Sequence, residues 1–314
     1  MRWSGAGRST ASMQRLLLAI AALLAAAGTP FADDRTDGTR RFLDLLTGVR
    51  IAYTEAFEDG EEELVAPDQL EEARLLVREA QSLNDRLSLV PAASLATIAR
   101  RLESLVGGIE LPTEVDAMAA DVTAKTGVAR DRRPTAKPSA ARGRELYPEN
   151  CAGCHGARGA GDGADAAHAG IKPADFTAVL FMRNETPADF FDRVTLGHRR
   201  RGMPEWTALT PLQRWDLVAY VWTLQQSDAD RVDAKRLWTD RCASCHGAAG
   251  GGVEGKAADF TRPGSLVDRT DRALFVVLSR KPHVAANAGL TDEQRWRLVG
   301  RARDLALGGA SLAK

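Results

Sequence analysis

Cys151-Ala-Gly-Cys-His155 and Cys242-Ala-Ser-Cys-His246 together hold all four cysteines of a 314-residue chain. Each places two thiols three positions apart, so on one helical turn both sulfurs share a face, with a histidine directly after them. A disulfide between such neighbours closes a very tight ring and staples little chain, and it explains neither the histidine nor the repetition. A zinc site pairs its cysteines with different partners.

The repetition extends outward from the pentapeptides. Segment Arg144–Gln226 contains the first motif, then Pro-Ala-Asp-Phe-Thr at Pro173–Thr177, then LTPLQRWDLVAYVWTL at Leu209–Leu224. Segment Ala234–Leu307 contains the second motif, then Ala-Ala-Asp-Phe-Thr at Ala257–Thr261, then LTDEQRWRLVGRARDL at Leu290–Leu305. Landmarks recurring in one order read as an internal duplication. A short helix is expected before each cysteine pair (RGRELYPEN and DAKRLWTDR), and a long amphipathic one closes each unit.

C-x-x-C-H is the attachment signature of c-type haem. Two covalently bound haem c groups are therefore expected. Cys151, Cys154, Cys242 and Cys245 would form thioethers to the vinyl groups, and His155 and His246 would ligate iron from the proximal side. Met203, in Gly202-Met203-Pro204, is the expected distal ligand of the first iron, because a thioether favours ferrous iron and raises the potential. His198 is its competitor, or else a surface histidine in a run of arginines. None of the five methionines lies beyond Met203. Met203 precedes Leu209 by six residues and His283 precedes Leu290 by seven, so His283 stands nearly where the second unit lacks a methionine. Ligation by His283 would give bis-histidine iron at a lower potential than His/Met; the alternative is a five-coordinate second haem with His283 at the surface.

These motifs, the Gly-Met-Pro loop and the aromatic-rich last helix resemble the class I cytochrome c family over about the last 170 residues. The resemblance implies an all-helical fold round each haem, with one haem edge exposed. It implies that the first helix of a unit crosses the last, setting Leu146 and Tyr147 against Leu217–Trp222. It also suggests that Arg199–Arg201, beside Met203, either ring the exposed edge and steer acidic partners or form a solvated loop.

The rest of the chain frames these units. Formal net charge is zero, and nothing in it suggests a nucleic-acid partner. Arg2, Arg8 and Arg15 with Leu16–Gly28 read as a secretory signal over residues 1–32, its apolar run too short to span a bilayer. Cleavage would remove three arginines and no acid, leaving a mature chain near −3 with no transmembrane segment. A periplasmic location follows, with a membrane-anchored form as the alternative. Residues 33–128 show helical periodicity (Leu70, Ala73, Val77, Ala80; Leu95, Ile98, Leu102) with Pro67, Pro91 and Pro112 at expected helix starts. That predicts about four helices in a bundle. Residues 129–143 read as a charged linker with little to bury, 144–227 as the first cytochrome c domain and 228–314 as the second. The fold class expected is all-α: a helical bundle followed by two tandem cytochrome c domains.

The layout is also loosely similar to exported regions of oxidase-coupled bacterial iron permeases, where a helical domain precedes cytochrome c units. That similarity rests on LLTGVRIAYTEAFEDGEEELVAPDQLEEARLLVREAQ (Leu45–Gln81). It makes Glu55, Glu58, Asp59, Glu61, Glu62 and Glu63 either a site for a hard ion or a solvated acidic turn. The function expected is a periplasmic dihaem electron carrier, serving iron uptake or a dehydrogenase chain. Its partners would be periplasmic or membrane redox proteins, an iron permease among the candidates. A dihaem peroxidase-like enzyme and a haem redox sensor are the alternatives.

Overall fold

The computed structural model describes residues 30–57, 64–103, 107–108, 110–130, 132–169, 171–253 and 257–309. The expected signal peptide falls almost wholly outside the described residues, as does the acidic run 58–63. The described chain is helical, and its one bridge of β type joins His198 to Met203.

Four helices form the N-terminal part: Pro30–Ala56, Pro67–Leu87, Ala92–Leu102 and Glu110–Thr126. Phe42, Leu46, Val49 and Tyr53 fall at steps of four and three on the first helix. They bury against Leu70, Ala73, Val77 and Ala80 of the second. Pro67 occupies the first turn of its helix, and Pro91 stands immediately before Ala92. The Glu110 helix begins two residues ahead of Pro112. Between the second and third helices the chain turns through Ser88, at φ 53°. The buried side chain of Asn84 secures that turn, accepting from the Leu89 and Val90 amides and donating to the Val90 carbonyl, each at 2.9 Å. Three backbone groups that would otherwise be buried without partners are thus satisfied by one amide.

In the first unit, helix Ala140–Asn150 crosses helix Pro211–Thr223, with Tyr147 edge-on to Tyr220 at 5.1 Å between ring centres. Arg142 forks onto Asp216 at 2.7 and 2.8 Å, and the Ser139 amide donates to the same carboxylate at 2.7 Å. In the second unit, helix Asp228–Arg241 packs on helix Asp292–Leu307, and Arg297 bridges Asp230 and Asp233 at 2.9 and 3.0 Å. Both closing helices start in capping boxes, Thr210 with Gln213 and Thr291 with Gln294, so the shared L-T-x-x-Q text is a start signal for each.

The stretch read as a linker is built into the fold. Arg130 binds Asp44 of the bundle at 2.9 Å and also Asp192 of the first unit. Arg132 reaches Asp189 at 2.8 Å and Asp192 at 3.1 Å, and Asp268 of the second unit lies 3.7 Å away. Asp192 is fully buried, and burial raises its pKa while the two guanidinium groups oppose the rise. The expectation of little to bury fails because arginine can enter an interior as a counter-ion. The two later units also share a seam. The Ala188 amide donates to the Val267 carbonyl at 3.0 Å, and the Arg183 guanidinium lies 3.6 Å from the Trp296 ring centre.

Asp304 makes part of this fold pH-dependent. Burial raises its pKa from 3.8 to about 6, against the attraction of Arg231 at 3.4 Å. An acid raised in the folded state binds more protons there than when unfolded. Its contribution is therefore complete below about pH 4 and is lost as pH rises through about 6. Urea unfolding at pH 4.5 and 7 should show that loss, and Asp304→Asn should flatten the pH slope between them.

Candidate functional site

In the first unit, the helix ending at Asn150 hands over to a single turn, Ala152–His155, which Gly156 stops at φ 77°. The His155 Nδ1–H donates to the Ala174 carbonyl at 3.0 Å. A carbonyl only accepts, so this bond fixes the tautomer and leaves Nε2 with its lone pair. Burial lowers the His155 pKa, with the Ala174 carbonyl partly opposing, and a neutral imidazole is the form that ligates metal. Phe176 lies flat on the ring, 4.3 Å between centres and 19° between planes. Asp175 holds the turn that presents Phe176, accepting from the Thr177 amide at 2.8 Å and its hydroxyl at 2.6 Å.

The second unit repeats this device. Phe260 stacks on His246 at 4.8 Å and 19°, and Asp259 accepts from the Thr261 amide and hydroxyl at 2.7 and 2.6 Å. The A-D-F-T segments, landmarks in the sequence, thus orient the motif histidines. Their recurrence after each pentapeptide was the signal available. The histidine bond is looser here: burial lowers the His246 pKa with the Ala258 carbonyl partly opposing, but His246 Nδ1 does not reach hydrogen-bond geometry.

None of the four cysteines is in a disulfide. Burial pushes Cys151 up to about 12 and Cys242 up to about 11, so neither is a thiolate at neutral pH. Among the described residues no three His, Cys, Asp or Glu side chains gather as a metal cluster.

Cys151, Cys154 and His155 open onto a cavity of about 1150 Å³, which Ile171, Met203 and Trp206 also line. That exceeds the roughly 300–1,000 Å³ of drug-sized ligand pockets. Met203 is presented by a tight reversal: the His198 amide donates to the Met203 carbonyl at 2.8 Å, and the Met203 amide returns to His198 at 2.9 Å. Gly202, at φ 76°, makes that turn possible.

Two expectations about this loop are corrected. His198 is not a surface residue: its side chain is 15% exposed, lines the same cavity and sits 3.4 Å from Glu55 of the bundle. Nor do Arg199–Arg201 form a free basic rim. Arg199 binds Glu79 at 2.9 Å, the Arg200 amide donates to Glu72 at 3.1 Å, and Arg201 binds Asp68 at 3.0 Å. Glu55 binds Arg193 at 3.1 Å as well as facing His198, so it belongs to this interface and not to an ion site.

In the second unit, His246 and His283 stand with ring centres 6.0 Å apart and planes 9° apart. The Nδ1 atoms of both rings are buried without partners. Asn287 steadies the His283 segment, donating to the His283 and Leu278 carbonyls at 2.9 and 3.0 Å.

Residues 140–225 match the Cytochrome c family model. No curated protein matches the chain. Among solved structures, a chain of the Kuenenia stuttgartiensis reducing HAO-like protein complex Kustc0457/Kustc0458 is 22% identical and covers 52% of this chain and 95% of its own. Its TM-score of 0.24 is far below the level at which overall folds agree. Residues 140–225 therefore form a cytochrome c domain, which implies covalent haem c. The residues fit that group: adjacent thiols, an imidazole of fixed tautomer and a large cavity with a thioether on its wall.

Proposed function

We propose that the chain is an exported dihaem c-type cytochrome that carries electrons between redox proteins, with cytochrome c domains at 144–227 and 228–314 behind a helical bundle at 33–128. The observation that carries the reading is the pairing of His246, directly after Cys242–Cys245, with His283, their ring centres 6.0 Å apart and planes 9° apart. It gives the second unit a ligand pair of its own, separate from the first unit's His155 and Met203. Haem supplies one-electron exchange at its iron. The chain's residues tether it through the four cysteines, fix the proximal imidazoles through the A-D-F-T turns and set the distal ligands. A thioether on one iron and an imidazole on the other make the second site the more reducing. Export agrees with the signal-like N-terminus, and no helix among the described residues is long and apolar enough to cross a membrane.

Mass spectrometry of the acid-denatured mature chain should find two added macrocycles, and a reductive titration two one-electron steps. His283→Met should raise the lower of the two potentials, by on the order of 0.1 V, and leave the upper one in place. A second haem that is high-spin in the unaltered protein would refute the ligand pair.

A further inference from the structure

The loop that carries Met203 is held from two sides. Inside its own unit, residues 198 and 203 exchange two backbone bonds, and the Trp206 amide donates to the Val194 carbonyl at 3.1 Å. From outside, the bundle grips the loop. Arg201 binds Asp68 at 3.0 Å. Arg41 and Glu79 of the bundle alternate with Arg199 and Glu205 of the loop in a closed ring of charges. Its sides are Arg41–Glu79 at 2.7 Å, Glu79–Arg199 at 2.9 Å, Arg199–Glu205 at 3.2 Å and Glu205–Arg41 at 2.7 Å. An isolated surface pair contributes little, but charges joined in a network constrain one another.

The remaining contact is buried. Glu72 is 2% exposed, and its Oε2 accepts from the Arg200 amide at 3.1 Å, three residues before Met203. Oε1 of the same carboxylate is buried without a partner. Such a group does little for the bundle's own stability, because one bond offsets only part of its desolvation. What it fixes is the backbone of the loop, through a charge-assisted bond stronger than a neutral one. The second unit secures its own distal segment from within, through Asn287 and the carbonyls of Leu278 and His283. Arg41, Asp68, Glu72 and Glu79 all precede residue 140, where the Cytochrome c family match begins, so the outside grip is no part of the matched domain.

We propose that the helical bundle is a clamp that keeps Met203 on the first iron, with Glu72 as its main positioning residue. This rests on the reading of Met203 as the distal ligand. A loop fixed at 199, 200, 201 and 205 returns the thioether to the metal each time the bond opens. Methionine ligation raises the potential, so the bundle holds the first haem at the upper of the two potentials.

The test is ligand exchange in the full mature ferric protein. Excess imidazole replaces the thioether: the Fe–S bond breaks, an Fe–N bond forms, and no electron moves. At saturating imidazole the rate is that at which Met203 leaves, followed by loss of the red charge-transfer band particular to methionine-ligated ferric haem. Ligation by His283 gives no such band, so the first haem is read alone. In Glu72→Leu, which fills similar space without an acceptor, the rate should rise about tenfold and the upper potential should fall. Urea unfolding should show no loss of bundle stability in that variant. Glu72→Gln keeps an acceptor for the Arg200 amide and should stay within about twofold of the unaltered rate. Arg41→Gln/Glu79→Gln, which breaks the charge ring, should raise the rate about threefold and remove most of its dependence on salt. Unchanged rates in Glu72→Leu and in the ring variant, with the band present, would overturn the clamp alone. Equal acceleration in Glu72→Leu and Glu72→Gln would overturn the positioning role of Glu72. An unaltered ferric protein without the band would refute Met203 as the ligand, and the clamp with it.

Discussion

Gly143→Ala should destabilise the first unit by about 3 kcal/mol or more, shifting its urea midpoint well below that of the native chain. Alanine is the better helix former by about 1 kcal/mol, so propensity alone predicts the opposite sign. Packing reverses it. A Cβ on Gly143 would lie 1.9 Å from the Asp216 carbonyl oxygen, 2.5 Å from its carbon and 2.8 Å from Tyr220 Cβ. Two of those neighbours are backbone, so no side chain can swing aside. Helices Ala140–Asn150 and Pro211–Thr223 would have to part by about 1.5 Å to bring the closest contact to an ordinary 3.4 Å. That separation pulls on the Arg142–Asp216 fork and the Tyr147–Tyr220 contact together. Gly143→Ser should cost at least as much. An equal stability for Gly143→Ala would mean that the crossing is looser than described.

Arg303→Ala should cost about 3–5 kcal/mol, with the loss concentrated in the second unit. Arg303 is 1% exposed and gives every arm of its guanidinium to an acceptor, the Asp271 carboxylate among them buried. Nε and Nη2 reach Asp271 at 2.9 and 2.6 Å, Nη1 the Leu266 carbonyl at 2.6 Å, and Nη2 also the Arg269 carbonyl at 2.7 Å. Truncation leaves a buried carboxylate without its counter-ion, and that is the source of the penalty. Removing both charges is a different experiment. Arg303→Met with Asp271→Leu should recover much of the loss, because an apolar pair has no desolvation cost to offset. Chemical unfolding of the single and double variants checks both statements.

The parts of this fold that were legible in the sequence are those written in short-range patterns. The steps of three and four in Phe42–Tyr53 and Leu70–Ala80 gave the bundle helices, and C-x-x-C-H gave the thiol pairs and their histidines. What stayed hidden depends on distant partners. Gly143 reads as the last residue of a charged linker, and nothing nearby reveals that Asp216 passes within reach of its Cα hydrogens. Arg130 and Arg132 read as solvated for the same reason, since their acids lie 57 to 86 residues away in the chain. Arg199–Arg201 look like a free basic rim until the bundle's Asp68, Glu72 and Glu79 are folded against them. Phe176 and Phe260 were visible as repeated letters, but their role required the ring planes.

Val267 and Leu307, from the second unit, are counted among the buried side chains of the first unit's core. The two halves are thus not beads on a string. A chain ending at residue 227 would present bare hydrocarbon where those two side chains belong, and would tend to clump. Replacing either half by another sequence would require the matching patch to travel with it.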